Sequence, residues 1–466
     1  MQRLVVIFLF SALLPACMLG PDYQRPEINT PPAYRESIEV TESLANLGWW
    51  ELFDDPQLTA LIEVALEQNN DLAIATLRIE EARARYGFVK ADQMPQLNAR
   101  GGASRGEVFD TGITENYALA GDLSFEVDLF GKLRRASESA RADLLATEEA
   151  WRAVMSSLVA DVASTYLAIV DLDARLAIAK RTLNTRQEST RIIQARFDEG
   201  TVPLLDVNQA QIQEADAAAQ ISVFERDLIR AENLMNLLLG RSPDNVIMVR
   251  DGQFSLVPPE VPAGLPAELL ERRPDVRQAA QLLAAQTARI GVAEAARFPS
   301  LSLTGSLGLA SDDLSDLIDS DAKLWSLGGD FFAPLFDAGK RKSNVEIQIA
   351  RTEQLLQQYE LTVLRAFAEV EDALAGVRTY YDETRSRQRQ LKAAQTASTL
   401  SLARYNGGVT SYLEVLDSDR SLFRAELAES LVRRQQLQSV VELYQALGGG
   451  WAVDATAAGS QPPSAK

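Results

Sequence analysis

Alternating apolar and polar residues mark two pairs of candidate β-strands. Within residues 117–130, apolar and small side chains occupy every second position, and the other positions carry the carboxylates of Asp122, Glu126 and Asp128. Three further segments share this alternation, the first of them weakly: 96–104, 299–309 and 324–336. A half-buried soluble sheet and a membrane β-barrel both produce this period, so a single strand does not distinguish them.

A long heptad-patterned stretch follows each strand pair. Apolar residues between 344 and 382 recur at alternating steps of four and three, and residues 134–199 contain neither glycine nor proline. This spacing is that of a coiled-coil helix, and about 65 residues would form a rod of about 100 Å. The sequence therefore predicts two long helical hairpins, at about 134–239 and 340–447.

The chain contains an internal duplication. Residues 195–240 align without a gap with residues 403–448, so that ARFDEGTVPLLDV lies over ARYNGGVTSYLEV. A repeat of roughly 200 residues is far longer than a solenoid unit, which indicates two similar halves around a shared axis. We assign the halves to 56–240 and 268–448, joined by a proline-rich linker at 241–267.

Composition excludes most enzymatic chemistry. The 466 residues carry a net charge of −19, no histidine and one cysteine, Cys17. This leaves no Cys/His metal site, no catalytic triad of the usual type and no disulfide framework. The negative charge disfavours nucleic acid and suits cations. We therefore expect neither an enzyme nor a cofactor, and no nucleic-acid partner.

The N-terminus indicates export. Residues 1–16 combine one arginine with a short apolar stretch that fits a secretory signal peptide. Its end at Cys17 resembles a bacterial lipoprotein box, which implies a lipid-modified segment at 17–55. Pro15 departs from the small residue usual at that place, and an ordinary signal with an incidental cysteine is the alternative. Residue 18 is Met18 and not aspartate, which implies the outer membrane.

The strand count constrains the assembly. Four strands cannot close around a lumen, and each unpaired backbone group in lipid costs several kcal/mol. Three chains would supply twelve strands, an acceptable number for a barrel. The links at 105–116 and 311–323 would then be external loops, and the second contains five aspartates and one lysine.

Several stretches resemble the TolC-like outer membrane factors, in the lipoprotein branch typified by OprM and NodT. They are CMLGPDYQRP (17–26), WWELFDDPQL (49–58), LLERRPDVRQAAQLLAA (269–285), IGVAEAARFPSLSLTGSLG (290–308) and WSLGGDFFAPLFDAGK (325–340). The resemblance implies a mainly α fold with a membrane β-part: a homotrimer with a shared 12-stranded barrel in the outer membrane and a helical coiled-coil barrel across the periplasm.

The resemblance also implies a function and partners. It implies the exit duct of a tripartite efflux system, which passes small molecules such as drugs from an inner-membrane pump and a periplasmic adaptor to the exterior. An outer membrane duct for type I protein secretion is the alternative within this fold. A structural coiled-coil protein would explain the helices, but it would leave the alternating strands and the lipoprotein start unexplained.

The second hairpin turn carries the candidate aperture. Asp417 matches the family position of an acidic ring at the closed periplasmic end, Leu413 matches the apolar ring beside it, and Glu414 lies between them. Asp417 could instead complement the dipole of the helix N-terminus. Glu414 could instead complete a capping box with Ser411.

Both hairpin turns are candidate docking tips for the adaptor. The resemblance implies this role for Gly200, Thr201, Val202, Gly408, Val409 and Thr410. The two glycines also suit the left-handed conformation that ends a helix, and the two roles are compatible. Residues 449–466 contain a GGG run and the motif QPPS, and we expect them to be disordered.

Overall fold

The computed structural model describes residues 18–28, 34–35, 55–108, 112–243 and 271–449. The expected signal peptide, Cys17 and most of the linker and tail lie outside these residues. The elements are α1 (Pro56–Gln68), α2 (Asn70–Ala91), β1 (Gln96–Val108), β2 (Gly112–Val127), α3 (Lys132–Asp198), α4 (Leu204–Leu238), α5 (Pro274–Ala295), β3 (Ser300–Ser311), β4 (Lys323–Phe332), α6 (Lys340–Asn406) and α7 (Tyr412–Ala446).

The four strands form one antiparallel sheet in the order β1-β2-β3-β4. Its register pairs Leu97 with Leu123, Leu123 with Gly305, and Gly305 with Leu327, so odd-numbered residues share one face. Apart from the hairpin end of β1 and β2, where Arg105 and Glu115 lie on it, that face is apolar. Several of its large side chains are exposed: Leu97, Leu119, Leu123, Leu307, Trp325, Leu327 and Phe331. The opposite face carries Asp122, in line with the predicted alternation.

Two strand boundaries differ from the sequence prediction at the first hairpin. β1 continues to Val108 and β2 begins at Gly112, so most of the predicted loop at 105–116 is strand. The Arg105 guanidinium lies 3.2 Å from the Glu115 carboxylate across the ladder. Polar cross-strand pairs such as this one stabilise a sheet without apolar alternation, which is why the pattern missed the extension.

The ends of β2 and β4 were predicted too far along the chain, whereas β3 continues two residues beyond its predicted end, to Ser311. β2 ends at Val127 because the Asp128 carboxylate accepts hydrogen bonds from the backbone N–H groups of Leu133 (3.1 Å) and Arg134 (3.0 Å) and caps α3. β4 ends at Phe332, whereas the prediction ran to residue 336. Pro334 has no N–H to donate to a ladder, so the strand cannot continue through it.

The helices reproduce the duplication. α3 and α6 have 67 residues each, and α4 and α7 have 35 each. Glycines with positive φ stand at equivalent helix ends in both halves: Gly131 and Gly339, Gly200 and Gly408, Gly240 and Gly448. The apolar part of α3 is long enough to cross a membrane, but half of it is buried against protein, as in a core helix. The strands and hairpins together confirm the predicted fold class.

Two compact units cut across the two repeats. The first comprises Met1–Ile28, Thr76–Ala150 and Asp275–Thr362, and the second comprises Asn29–Ala75, Trp151–Pro274 and Val363–Lys466. Segments from both halves pack together in each unit: β2 of the first half pairs with β3 of the second, and α4 contacts its equivalent α7. The repeats are therefore not separate domains, because their cores are shared.

Candidate functional site

The two long hairpins end in turns with the same backbone geometry. Gly200 and Gly408 follow α3 and α6 with φ of +74° and +72°. At both turns the residue after the glycine donates its N–H to a carbonyl five positions earlier. The bonds run from Thr201 to Arg196 (2.9 Å) and from Val409 to Arg404 (3.0 Å). This is the Schellman closure, so the predicted helix-ending role of both glycines is confirmed.

The side chains of the two turns differ in exposure. Val202 packs against the hydrophobic core below the first turn. Val409, one place before the position equivalent to Val202, is 72% exposed. Apolar side chains this exposed are candidates for contact with another chain. Leu204 and Leu205, just after the first turn, are also exposed, so both turns present apolar surface.

A compact hydrophobic core lies beneath the turns. Its buried members come from α3, α4 and α7: Ile193, Val207, Ala210, Tyr412 and Leu416. The Tyr405 ring lies 5.4 Å from the Tyr412 ring, and the Arg196 guanidinium lies 5.0 Å from the Tyr405 ring centre. Burial, followed by the negative charge of Asp419, raises the pKa of Tyr412 to about 12, so this phenol stays neutral at physiological pH.

α7 presents the predicted aperture residues on one exposed face. Leu413 is 58% exposed, and Asp417, one helical turn further, is also exposed. Their neighbours Tyr412 and Leu416 are buried in the core. Asp417 has no ion-pair partner within the part of the chain that the structure describes. Both side chains are thus available to a lumen or to another chain.

Glu414 does not form the capping box that the sequence suggested. Ser411 occupies the N-cap of α7, but its side chain makes no capping hydrogen bond. The Glu414 carboxylate instead lies 3.3 Å from the Arg404 guanidinium and accepts a hydrogen bond from the Thr410 hydroxyl. The side chain is engaged by the last turn of α6 rather than by the backbone of α7, and Glu414 therefore ties the two arms of the second hairpin together.

Arg186 joins three helices behind the exposed face of α7. Its side chain is only 4% exposed. Nε donates to the Asp419 carboxylate on α7 (2.9 Å), and Nη1 donates to the backbone carbonyl of Gln213 on α4 (2.7 Å). The Asp216 carboxylate lies 3.4 Å from Nη1, and the Phe423 ring centre is 4.9 Å from the guanidinium. This buried cation links α3 to both return helices.

The sequence contained a signal for Arg186 that our prediction did not use. The heptad grid of α3 that includes Leu172 also includes residues 186 and 193, and Ile193 is buried. A charged residue at a core position requires charged or polar partners on the facing helices. Its partners, Asp216 and Asp419, could not be identified, because they depend on which helices pack together.

Comparisons with known proteins agree on one family. A family model described as outer membrane efflux protein matches residues 61–241 and 265–449. The cation efflux system protein CusC of Escherichia coli K12 is 37% identical over 454 residues, which cover 95% of this chain and 98% of that protein. The antibiotic efflux pump outer membrane protein ArpC of Pseudomonas putida is 34% identical over 465 residues, with 97% and 96% covered.

A solved structure has the same fold. The outer-membrane channel OprN superposes with a TM-score of 0.85 at 32% identity, and the match covers 94% of this chain and all of that one.

Proposed function

The chain belongs to the outer membrane efflux protein family, and from this premise we propose that three copies form one exit duct through the outer membrane. The observation that carries the proposal is the four-stranded sheet. Its outer strands, β1 and β4, each have one free edge in the described chain. Free edges at membrane depth are too costly to persist, and twelve strands from three chains would close them.

The protein is an outer membrane efflux protein, as predicted, and the secretion alternative finds no support among the relatives named above. Those relatives carry names that refer to cation efflux and to antibiotic efflux. We propose small molecules or ions as the cargo of this chain too. An inner-membrane pump would select among them.

We propose that the hairpin turns dock a periplasmic adaptor, which connects the duct to the pump. The docking residues would be Gly200, Thr201, Val202, Gly408, Val409 and Thr410. The exposure of Val409 and the rigid Schellman geometry of both turns support this assignment. A preformed tip loses little conformational freedom when it binds.

We propose that Leu413 and Asp417 line the periplasmic aperture, with Glu414 holding the turn beside them. In a trimer each substitution would act three times at one narrow point. Three Asp417 carboxylates near the three-fold axis would attract cations and would narrow the passage at that point. The exposed face that the two residues share on α7 supports this arrangement.

We propose that Cys17 is acylated and anchors the chain in the membrane. The residues that follow it are held firmly. Arg135, 2% exposed, donates to the carbonyls of Leu19 (3.0 Å) and Gly20 (3.1 Å), and its guanidinium lies 2.7 Å from the Asp22 carboxylate. A lipid attached just before this segment would therefore enter the membrane at a fixed place beside the start of α3.

Two measurements test the proposed duct. Native mass spectrometry in detergent should give a trimer as the main species. Deletion of the gene in its host should increase accumulation within a panel of dyes, antibiotics and metal cations, and reintroduction of the gene should reverse the increase. A folded monomer or dimer, or unchanged accumulation of every compound, would contradict the proposal.

A further inference from the structure

An aromatic pair closes the junction between the two strand pairs within one chain. Phe130 follows β2, and Phe298 precedes β3, the strand that pairs with β2. Their ring centroids are 4.9 Å apart, and the rings are tilted by 31°. Aromatic pairs in such a geometry stabilise a structure beyond the area that they bury. A packed apolar contact thus joins the end of β2 to the start of β3.

The duplication places the same two positions at the free edges of the sheet. The LFG motif after β2 corresponds to LFDAG after β4, so Phe336 is the equivalent of Phe130. The PQL motif at the start of β1 corresponds to PSL at the start of β3, so Met94 is the equivalent of Phe298. Phe336 therefore follows the edge strand β4, and Met94 precedes the other edge strand, β1.

Both edge positions are uncovered within the chain. Phe336 is 91% exposed, Leu335 is 94% exposed and Met94 is 65% exposed. A cavity of about 200 Å³ lies at the intrachain junction, and Phe332 and Pro334 form part of its lining. Leu335 and Phe336, which follow them in the chain, do not line it. In the described chain, therefore, these large apolar side chains lack the contact that their equivalents make.

We propose that Phe336 of one copy packs against Met94 of the next copy, where β4 of the first pairs with β1 of the second. The inference rests on the proposed trimer and specifies its contact. A thioether against an aromatic ring is a favourable pair, so methionine can replace the phenylalanine of the intrachain junction. Closure of the barrel would then produce three intrachain and three interchain junctions of the same design.

Cysteine crosslinking tests the contact. Phe336→Cys and Met94→Cys are combined in one chain, and the purified trimer is treated with a short bismaleimide. Denaturing gels should show covalent dimers and trimers for the variant that combines Phe336→Cys with Met94→Cys, and not for the control. The matched control combines Phe336→Cys with Ile113→Cys, because Ile113 is similarly exposed at 63% but lies at the far end of β1 and β2. The wild type reports any reaction of Cys17.

The outcomes separate this inference from the proposed duct. Native mass is measured for each variant before crosslinking. If trimers form but the variant with Met94→Cys crosslinks no better than the control with Ile113→Cys, the proposed contact is wrong. The proposed duct would stand, and Phe336 would instead belong to a lipid-facing girdle. If the double variant does not form trimers, a benzophenone amino acid at position 336 replaces it. Mass spectrometry should then find the adduct on Met94, and an adduct found only elsewhere would equally overturn the contact.

Discussion

Asn69 and Arg273 close the same helix end in the two halves of the chain. Asn69 Nδ2 donates to the carbonyl of Leu238 at the end of α4 (2.9 Å), and Arg273 Nη1 donates to the carbonyl of Ala446 at the end of α7 (3.0 Å). The two acceptors are equivalent positions of the duplication, but the donors are an amide and a guanidinium. The Arg273 guanidinium also lies 2.7 Å from the Glu369 carboxylate. The two halves thus share this hydrogen bond to the helix end, although the donor group differs.

Arg273→Ala should therefore lower the free energy of unfolding by about 1–3 kcal/mol, the cost of an unsatisfied buried acceptor. Arg273→Asn should recover part of this loss, because Asn69 reaches the equivalent carbonyl from the equivalent position. Denaturant titrations in detergent measure both variants. If the asparagine variant is no more stable than the alanine variant, the shared bond has little energetic importance.

Arg186→Met should destabilise the hairpins although it keeps most of the side-chain volume. Breaking a fully buried ion pair costs about 3–5 kcal/mol, but here the acidic partners are partly exposed, 24% for Asp419 and 53% for Asp216. We expect a loss of about 1–3 kcal/mol in denaturant titrations. Arg191→Met is the matched control: its pair with Glu188 is on the surface, so this variant should lose much less stability than Arg186→Met. Equal losses in the two variants would contradict the role given to Arg186.

Leu123→Arg should impair membrane insertion, because Leu123 is 43% exposed on the apolar face of the sheet. The expected cost is roughly 2–4 kcal/mol if the residue lies near the bilayer midplane. Ser124→Arg, on the opposite face, should be better tolerated. Recovery of each variant in the outer membrane fraction measures the difference, and equal recovery would mean that the apolar face does not contact lipid.

Asp417→Ala and Leu413→Ala should each increase the size or frequency of channel openings in planar-bilayer recordings. The first variant should also lose cation preference, because it removes the carboxylates from the aperture. Glu414→Ala removes the contacts with Arg404 and Thr410 and should mainly lower hairpin stability, with less effect on current. If wild type and both aperture variants conduct equally, these residues only shape the start of α7.

Cys17→Ser should abolish incorporation of radiolabelled palmitate, because Cys17 is the only cysteine in the chain. The variant should still insert, since the strands and not the lipid supply the membrane-spanning surface. Immunoprecipitation of the chain measures the labelling, and recovery from the outer membrane fraction measures the insertion. Palmitate that remains on the serine variant would show that the lipid is attached elsewhere.

The predictability of the candidate site varies from residue to residue. Gly200 and Gly408 were assigned to helix ends from sequence, because a left-handed residue after a helix is a local requirement that glycine meets. The capping box given as the alternative for Glu414 does not form, because that alternative considered only the first turn of the same helix. The structure brings Arg404 to the carboxylate instead, and an ion pair with the preceding helix replaces the local cap.

The sequence by itself determined the two long hairpins, the four strands and the duplication. These follow from periodicity and from repeated motifs, which depend on backbone geometry over a few residues. Only the tertiary structure decided that Asp419 faces Arg186 and that Arg273 reaches the end of α7. Those residues are 233 and 173 positions apart in the chain. No local period encodes such a contact, because it depends on which faces of distant helices pack together.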